Sequence, residues 1–384
     1  MQTAVFVASA VVQGAAFLRW NYRLSSEERQ NGWWLYGWFT GCCCLGSIAG
    51  ASAYAVWMAY LYFLYSSRKI EALAAPTLSD LQQISELRVG RYRYVAAFHV
   101  LFPIEVAFVT VAYLLVLHRM QQFSLIQSSR ERLKKLWAWA ERAFLAIVVI
   151  SNVVGIISNI IASVSFARTA ALDSQAATSF AANDTTAGTA YEKLSRQTAS
   201  SSLKIAAFQG LLECFVLLVT VAAFLIVGVR SHRIIGSALH ALFTAQKRLD
   251  LAVGRDRLVR QLVAEASQQG KQLQRKVVGT VAFVFFTVLV RSAFRLLFSF
   301  ATVFQDAENT CAAAECDPCK NQYTHLLYWL LYTPALQQGV VLISSPVTQL
   351  VALWGMSGVG AMLQQMPAEE LEEARKHAKT NVIK

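Results

Sequence analysis

Apolar residues in this chain gather into seven runs, residues 3–18, 33–65, 94–117, 138–167, 203–229, 277–304 and 323–354, and polar residues collect between them. None of the runs alternates with the two-residue period of a half-buried strand, so each predicts a helix. A helix rises about 1.5 Å per residue and about 20 apolar residues cross a hydrocarbon core of about 30 Å. The pattern therefore predicts an all-α polytopic membrane protein. Its seven-helix transmembrane domain covers residues 1–356, and a tail covers 357–384. Runs 33–65 and 323–354 are longer than one crossing needs. Trp33, Trp34 and Trp38 are expected at an interface and a break at Pro334 or Pro346, with Val347 to Met366 lying along the membrane as a short amphipathic helix.

Composition agrees, because 55% of the residues are hydrophobic and 15% charged, against about 25% charged in soluble domains. An integral protein of the plasma membrane or an endomembrane is expected. The formal net charge of +12 does not point to nucleic acid, because the basic residues lie in a few inter-span segments and meet membrane lipid. Segments 19–32, 118–137, 230–276 and 355–384 hold 22 Arg and Lys, and segments 66–93, 168–202 and 305–322 hold 9. The positive-inside rule then puts the N-terminus outside and the C-terminus inside. With Ala8, Ala10, Ala15 and Ala16, the first run also fits a cleaved signal peptide, although it lacks the positively charged start. Removing it would invert every later loop and place Asn183-Asp184-Thr185, a glycosylation acceptor pattern at Asn183, in the cytoplasm.

Two connections are long enough for structure of their own. Thr169 to Ser202 is rich in Ala, Ser and Thr, and is expected to be a mobile loop that buries no core. Residues 230–276 carry Leu239, Leu242, Phe243, Leu249, Leu258, Leu262 and Val263 among basic side chains at helical spacing. This predicts a basic amphipathic hairpin that extends the fifth and sixth spans into the cytoplasm and turns near Gly254. It is either a docking surface for a cytoplasmic protein partner or anionic lipid, or a solvated hairpin packed on itself. In the tail, Glu372 and Lys376 form an i,i+4 pair.

The ionisable residues inside the spans are His99, Glu105, Glu213, Arg291 and Arg295. Glu105, Glu213 and Arg295 fall at similar depths, and Arg291 and Arg295, four apart, share a helix face. Isolated charge in lipid is costly, so these residues predict a buried ionic cluster, read as a structural lock or as a ligand or proton site. Arg295 is expected within reach of Glu213 or Glu105, with Arg291 a turn nearer the cytoplasm. His99 lies nearer the outer surface among Tyr92, Tyr94 and Phe98. Asn152 and Asn159, with Ser151, Ser158 and Ser163, suit close helix packing.

Cys42, Cys43, Cys44 and Cys214 sit in apolar runs, whereas Cys311, Cys316 and Cys319 share a polar loop and predict a disulfide. With His325 the loop trio can be drawn as a zinc site, but no metal is expected. No zincin, nucleophile-elbow, phosphate-loop or dinucleotide motif stands in a convincing context, so neither an enzyme nor a cofactor is expected. A retinal protein of the microbial type would need a lysine in 323–354, and there is none.

Seven spans, an outside N-terminus, a long basic third inner loop and a proline-broken last helix resemble a G-protein-coupled receptor. His118-Arg119-Met120 stands where the largest receptor class has an acidic-Arg-Tyr triplet, and Ser345-Pro346-Val347-Thr348-Gln349 where it has Asn-Pro-x-x-Tyr. The arginine-bearing sixth span, short outer loop and following apolar helix, Phe283 to about Ile343, are similar to the tobamovirus-multiplication family of seven-span plant and protist proteins. That resemblance implies an endomembrane receptor-like or scaffold protein binding small GTPases or other cytoplasmic partners. The expected function is thus a receptor-like or scaffolding protein presenting residues 230–276 to a partner. The alternative is a small-solute or proton-coupled transporter that uses the buried Glu and Arg charges.

Overall fold

A computed structural model of the chain is almost entirely helical. It describes residues 2–23, 34–71, 77–126, 131–251 and 257–308, and then 326, 329–330, 333, 336, 339–341 and 343–352. The helices are α1 (Gln2–Arg23), α2 (Trp34–Glu71), α3 (Leu78–Ile126), α4 (Glu131–Ala181), α5 (Thr185–Leu251) and α6 (Arg257–Glu308), followed by the apolar segment α7 (Gly339–Ala352). Five of them, α2 to α6, contain stretches long and apolar enough to cross a membrane; α1 and α7 are shorter apolar helices. The 49 residues of α3 make a rod of about 74 Å. The long helices must therefore project well beyond any membrane they cross.

Each helix packs against the next in sequence from α1 to α6, α3 also meets α5, and the π-helical turn of α7 touches α1 and α6. One core cluster, built on Phe39, Cys43, Val109, Tyr113, Phe224 and Val288, occupies one half of the bundle. A second, built on Phe6, Tyr54, Trp57, Phe98, Phe102 and Phe166, occupies the other. Close approach of α1 depends on Gly50, where an added Cβ would lie 2.4 Å from the Phe6 ring. The outward face of α4 is Ile and Val: Ile150 is 63% and Val164 65% exposed. A face this apolar suits lipid, where it costs nothing to leave uncovered.

Residues 169–202 are not a mobile coreless loop. Helix α4 runs on to Ala181 and α5 starts at Thr185, so the whole connection is a tight turn at Asn183, whose φ is 60°. Asn tolerates that left-handed backbone better than most residues. The next helix is capped by Asp184, whose Oδ1 accepts from the Ala187 N–H at 2.9 Å. The small residues that argued against a core let the two helices approach closely. Ala170, Leu172, Ala176, Ala177, Phe180 and Ala199 are all buried, with Phe180 lying over Gly188.

On the opposite side, α5 and α6 continue beyond their apolar runs as Arg230 to Leu251 and Arg257 to Lys276; Gly254 lies outside the described residues. Pro346 sits inside a π-helical turn, Ile343–Val347, so the break in the last run is a change of helix type. Within the turn the Ile343 carbonyl lies 2.6 Å from Thr348 Oγ1. Helix α7 continues to Ala352, and the remainder of 347–366 lies outside the described residues, as do Trp33, Cys311, Cys316, Cys319, His325, Pro334 and the tail 357–384. Trp38 is 62% exposed.

Candidate functional site

The charged residues of α3, α5 and α6 meet in the bundle interior. Arg291 donates from Nε and Nη2 to Glu213 Oε1 at 3.2 and 3.0 Å, and its Nη2 lies 3.5 Å from Glu105 Oε2. Arg295 Nε is 3.3 Å from Glu213 Oε2, and its guanidinium lies over the Phe102 ring at 4.5 Å. Glu105 is wholly buried and Glu213 and Arg291 nearly so, whereas 18% of the Arg295 side chain is accessible. Arg291, not Arg295, is thus the cation shared by both carboxylates. The helical spacing explains why. Four residues is slightly more than one turn, so both arginines face the same interior between α3 and α5, but only Arg291 lies level with both carboxylates.

Each carboxylate also keeps one oxygen, Glu105 Oε2 and Glu213 Oε2, that lies near a guanidinium but makes no hydrogen bond. The other oxygen of Glu105 accepts from Ser345 Oγ in the π-helical turn. Three further bonds tie that turn and its flank to the bundle. Tyr113 donates to the Ser344 carbonyl at 3.2 Å, the Thr348 and Thr287 hydroxyls pair at 2.9 Å, and Ser47 Oγ donates to Gln349 Oε1 at 3.1 Å. Proline both opens this stretch of α7 and brings Ser345 against Glu105. A second proline, Pro103, sits in α3 two residues before Glu105 and removes the backbone donor that would otherwise bond His99's carbonyl.

Beside the cluster lies a cavity of about 220 Å³. Helices α2 to α6 all contribute to its wall, and α7 adds Val340 and Val341. Tyr54, Trp57, Phe98, Phe102, Phe166 and Phe294 are among its aromatic lining residues, and among the described residues Arg68, Arg91, Arg291 and Arg295 line it and no carboxylate does. His99 is part of the wall. Its Nδ1 is 2.8 Å from Asn159 Oδ1, and because Asn159 Nδ2 donates to the Gly155 carbonyl, the amide oxygen faces the ring and Nδ1–H donates. The imidazole stacks on Phe166 at 5.4 Å. His99 therefore belongs to the cavity and not to the Glu–Arg ladder. Of the polar residues on α4, Asn159 holds the histidine and Asn152 Nδ2 bonds its own helix at the Val148 carbonyl.

At the α4–α5 turn end of the cavity a second charged cluster closes the bundle. Arg88 donates to Glu71 Oε1 from Nε and Nη2 at 3.0 and 2.8 Å and to Glu192 Oε1 from Nη1 at 2.6 Å, clamping α2, α3 and α5 together. Arg68 pairs with Glu71 at 3.2 Å and Arg196 with Glu192 at 2.8 Å. Arg91, one turn along α3, donates to the Tyr92 hydroxyl and lies against its ring at 4.5 Å.

The cluster residues could be named from sequence because charge is rare inside an apolar run. Arg68, Arg88 and Arg91 lie outside the runs and were passed over, although Arg88 and Arg91 at i,i+3 share a face and so could have been noticed. Nothing in the sequence marks Ser345 as a partner for Glu105. Asn183 is exposed at its turn. Among the described residues no group of three or more His, Cys, Asp and Glu side chains is placed to hold a metal. No family model, curated protein or solved structure matches this chain.

Proposed function

We propose that this is a receptor-like or scaffolding membrane protein of seven spans, N-terminus outside and C-terminus inside, that presents residues 230–276 to a cytoplasmic partner. One observation carries the reading. The two helices that bear Glu213 and Arg291, and that wall the cavity through Leu203 to Gly210 and Arg291 to Thr302, run on without interruption into the basic extension. Whatever occupies the cavity acts on the same rods that display the basic surface. Replacing 230–276 by a short flexible linker should abolish partner capture, found by proximity labelling from that segment, while the bundle still folds. Undiminished labelling of the same protein would sink the proposal.

Buried charge beside a cavity also favours a second reading, a small-solute or proton-coupled transporter. The two part over the same deletion, because a transporter keeps its flux in proteoliposomes when the extension is removed. The topology is tested separately: reporters fused at Asn183 and at Gly254 should land on opposite sides of the membrane, and the same side for both would overturn it.

A further inference from the structure

The charges around the cavity do not cancel. Across the two clusters Arg68, Arg88, Arg91, Arg196, Arg291 and Arg295 stand against Glu71, Glu105, Asp173, Glu192 and Glu213, an excess of one cation. The excess is localised. Arg91 has no carboxylate within 4.0 Å among the described residues: it contacts the Tyr92 hydroxyl and ring, and the buried Asp173 carboxylate acts on it only at longer range, shared with Arg88. Arg295 has one carboxylate contact, without hydrogen-bond geometry. Both line the cavity, and among the described residues no carboxylate side chain does. Both guanidiniums are largely withdrawn from water and neither is hydrogen-bonded to a carboxylate, so each stands to gain from one added anion in the cavity.

The shape adds a second constraint. Phe102, which carries Arg295, is eleven residues along α3 from Arg91, which places the two guanidinium levels about 16 Å apart. The surface between them is aromatic. An apolar cavity of about 150 Å³ holds benzene, so about 220 Å³ takes a bicyclic ring or one ring with a short side chain. It is small for a drug-sized ligand, whose sites run from about 300 Å³.

We propose that this cavity binds a small apolar organic monoanion, an aryl or arylalkyl carboxylate, with its acid group on Arg91 or Arg295 and its ring among Trp57, Phe98, Phe102 and Phe166. This rests on the receptor-like reading only in making the cavity the ligand site. The recognition chemistry is guanidinium with carboxylate, next to aromatic faces that accept a ring edge-on or offset.

The test uses the full chain in phosphatidylcholine nanodiscs and equilibrium dialysis with benzoate, 4-phenylbutyrate, 2-naphthoate and the neutral isostere 2-naphthamide, with empty nanodiscs as blank. Expected is saturable binding of at least one acid, with 2-naphthoate about tenfold or more tighter than the amide. Arg91→Gln or Arg295→Gln should weaken the acid about tenfold and leave the amide unchanged. Equal affinity for acid and amide would leave an apolar pocket and refute anion recognition. Absence of saturable binding by every acid up to millimolar concentration would refute the site. Phosphatidylglycerol in the nanodisc that competes the acid away would assign the pocket to a lipid headgroup and overturn the proposal. The acid and amide comparison needs only the unmodified protein, so it stands even if a variant misfolds. Partner capture through 230–276 is measured independently, so the failure of either reading is seen without the other.

Discussion

Arg291→Met is the most informative single change. The wild-type guanidinium lies 3.0 Å from Glu213 Oε1 and 3.5 Å from Glu105 Oε2. At an effective dielectric constant of about 20, these contacts correspond to gross attractions of about 5.5 and 4.7 kcal/mol. Desolvation of three buried charges offsets most of that. Removing the cation does not return the balance to zero, however, because two carboxylates of 0% and 3% side-chain exposure remain in a medium that penalises them. Arg295 reaches Glu213 alone. The expected loss is about 3–5 kcal/mol, the range for breaking a buried pair.

The assay is reversible unfolding of the detergent-solubilised chain, with fluorescence-detected chromatography at a series of temperatures as a faster readout. Arg291→Met/Glu105→Gln/Glu213→Gln is the decisive control, since neutral groups of similar shape should recover most of the loss. Should Arg291→Met behave as wild type, the cluster carries no buried ionic energy. If the triple variant is no more stable than the single one, the damage comes from packing and the electrostatic argument fails.

Arg295→Ala should cost less, about 1–2 kcal/mol, because Glu213 keeps both hydrogen bonds from Arg291; a loss equal to that of Arg291→Met in the same unfolding assay would contradict this ranking. Arg88→Lys should destabilise by about 1–3 kcal/mol, since an ammonium cannot reproduce the fork that holds Glu71 while Nη1 holds Glu192; stability at the wild-type level would show that the clamp is idle. Gly50→Ala places a methyl 2.4 Å from the fully buried Phe6 ring, so overpacking of about 1–3 kcal/mol and looser attachment of α1 are expected, seen as faster proteolysis of the N-terminal helix.

Much of the fold could be read from the seven runs, because lipid forces backbone groups to bond within the segment and leaves apolar length as the dominant signal. The same reasoning misread residues 169–202. It treated the lack of large apolar side chains as the lack of a core, whereas in this Ala-rich pair of helices the core is made by close backbone approach, with Phe180 lying over Gly188. Glu105, Glu213 and the two arginines were legible because charge within an apolar run needs a partner. Their ranking was not. Helix depth matched Arg295 to the carboxylates, and only the rotation of α6 about its axis shows that Arg291 takes the central place. The cavity could not be read at all, since its wall gathers residues scattered over six helices, down to Phe166 alone from α4.

The ionic cluster need not be either a lock or a site. Glu213 and Arg291 are closed upon each other, with the Glu213 Oε1 atom taking both donors. Glu105 adds Ser345, and through it the π-helical turn that interrupts α7. That half of the cluster fixes three long helices and the last one in register, and a ligand gains nothing by disturbing it. Arg295 has the opposite character, partly accessible, stacked on Phe102, held by one imperfect contact and facing the cavity. An anion that drew Arg295 from Glu213 Oε2 would leave that oxygen with less compensation, and Glu213 could recover it only by leaning further on Arg291. If an anion binds as proposed, the lock should therefore tighten as the site fills. In this arrangement the arginine that is less important for stability is the one that can report occupancy to α5 and α6, and so to the basic extension that they carry.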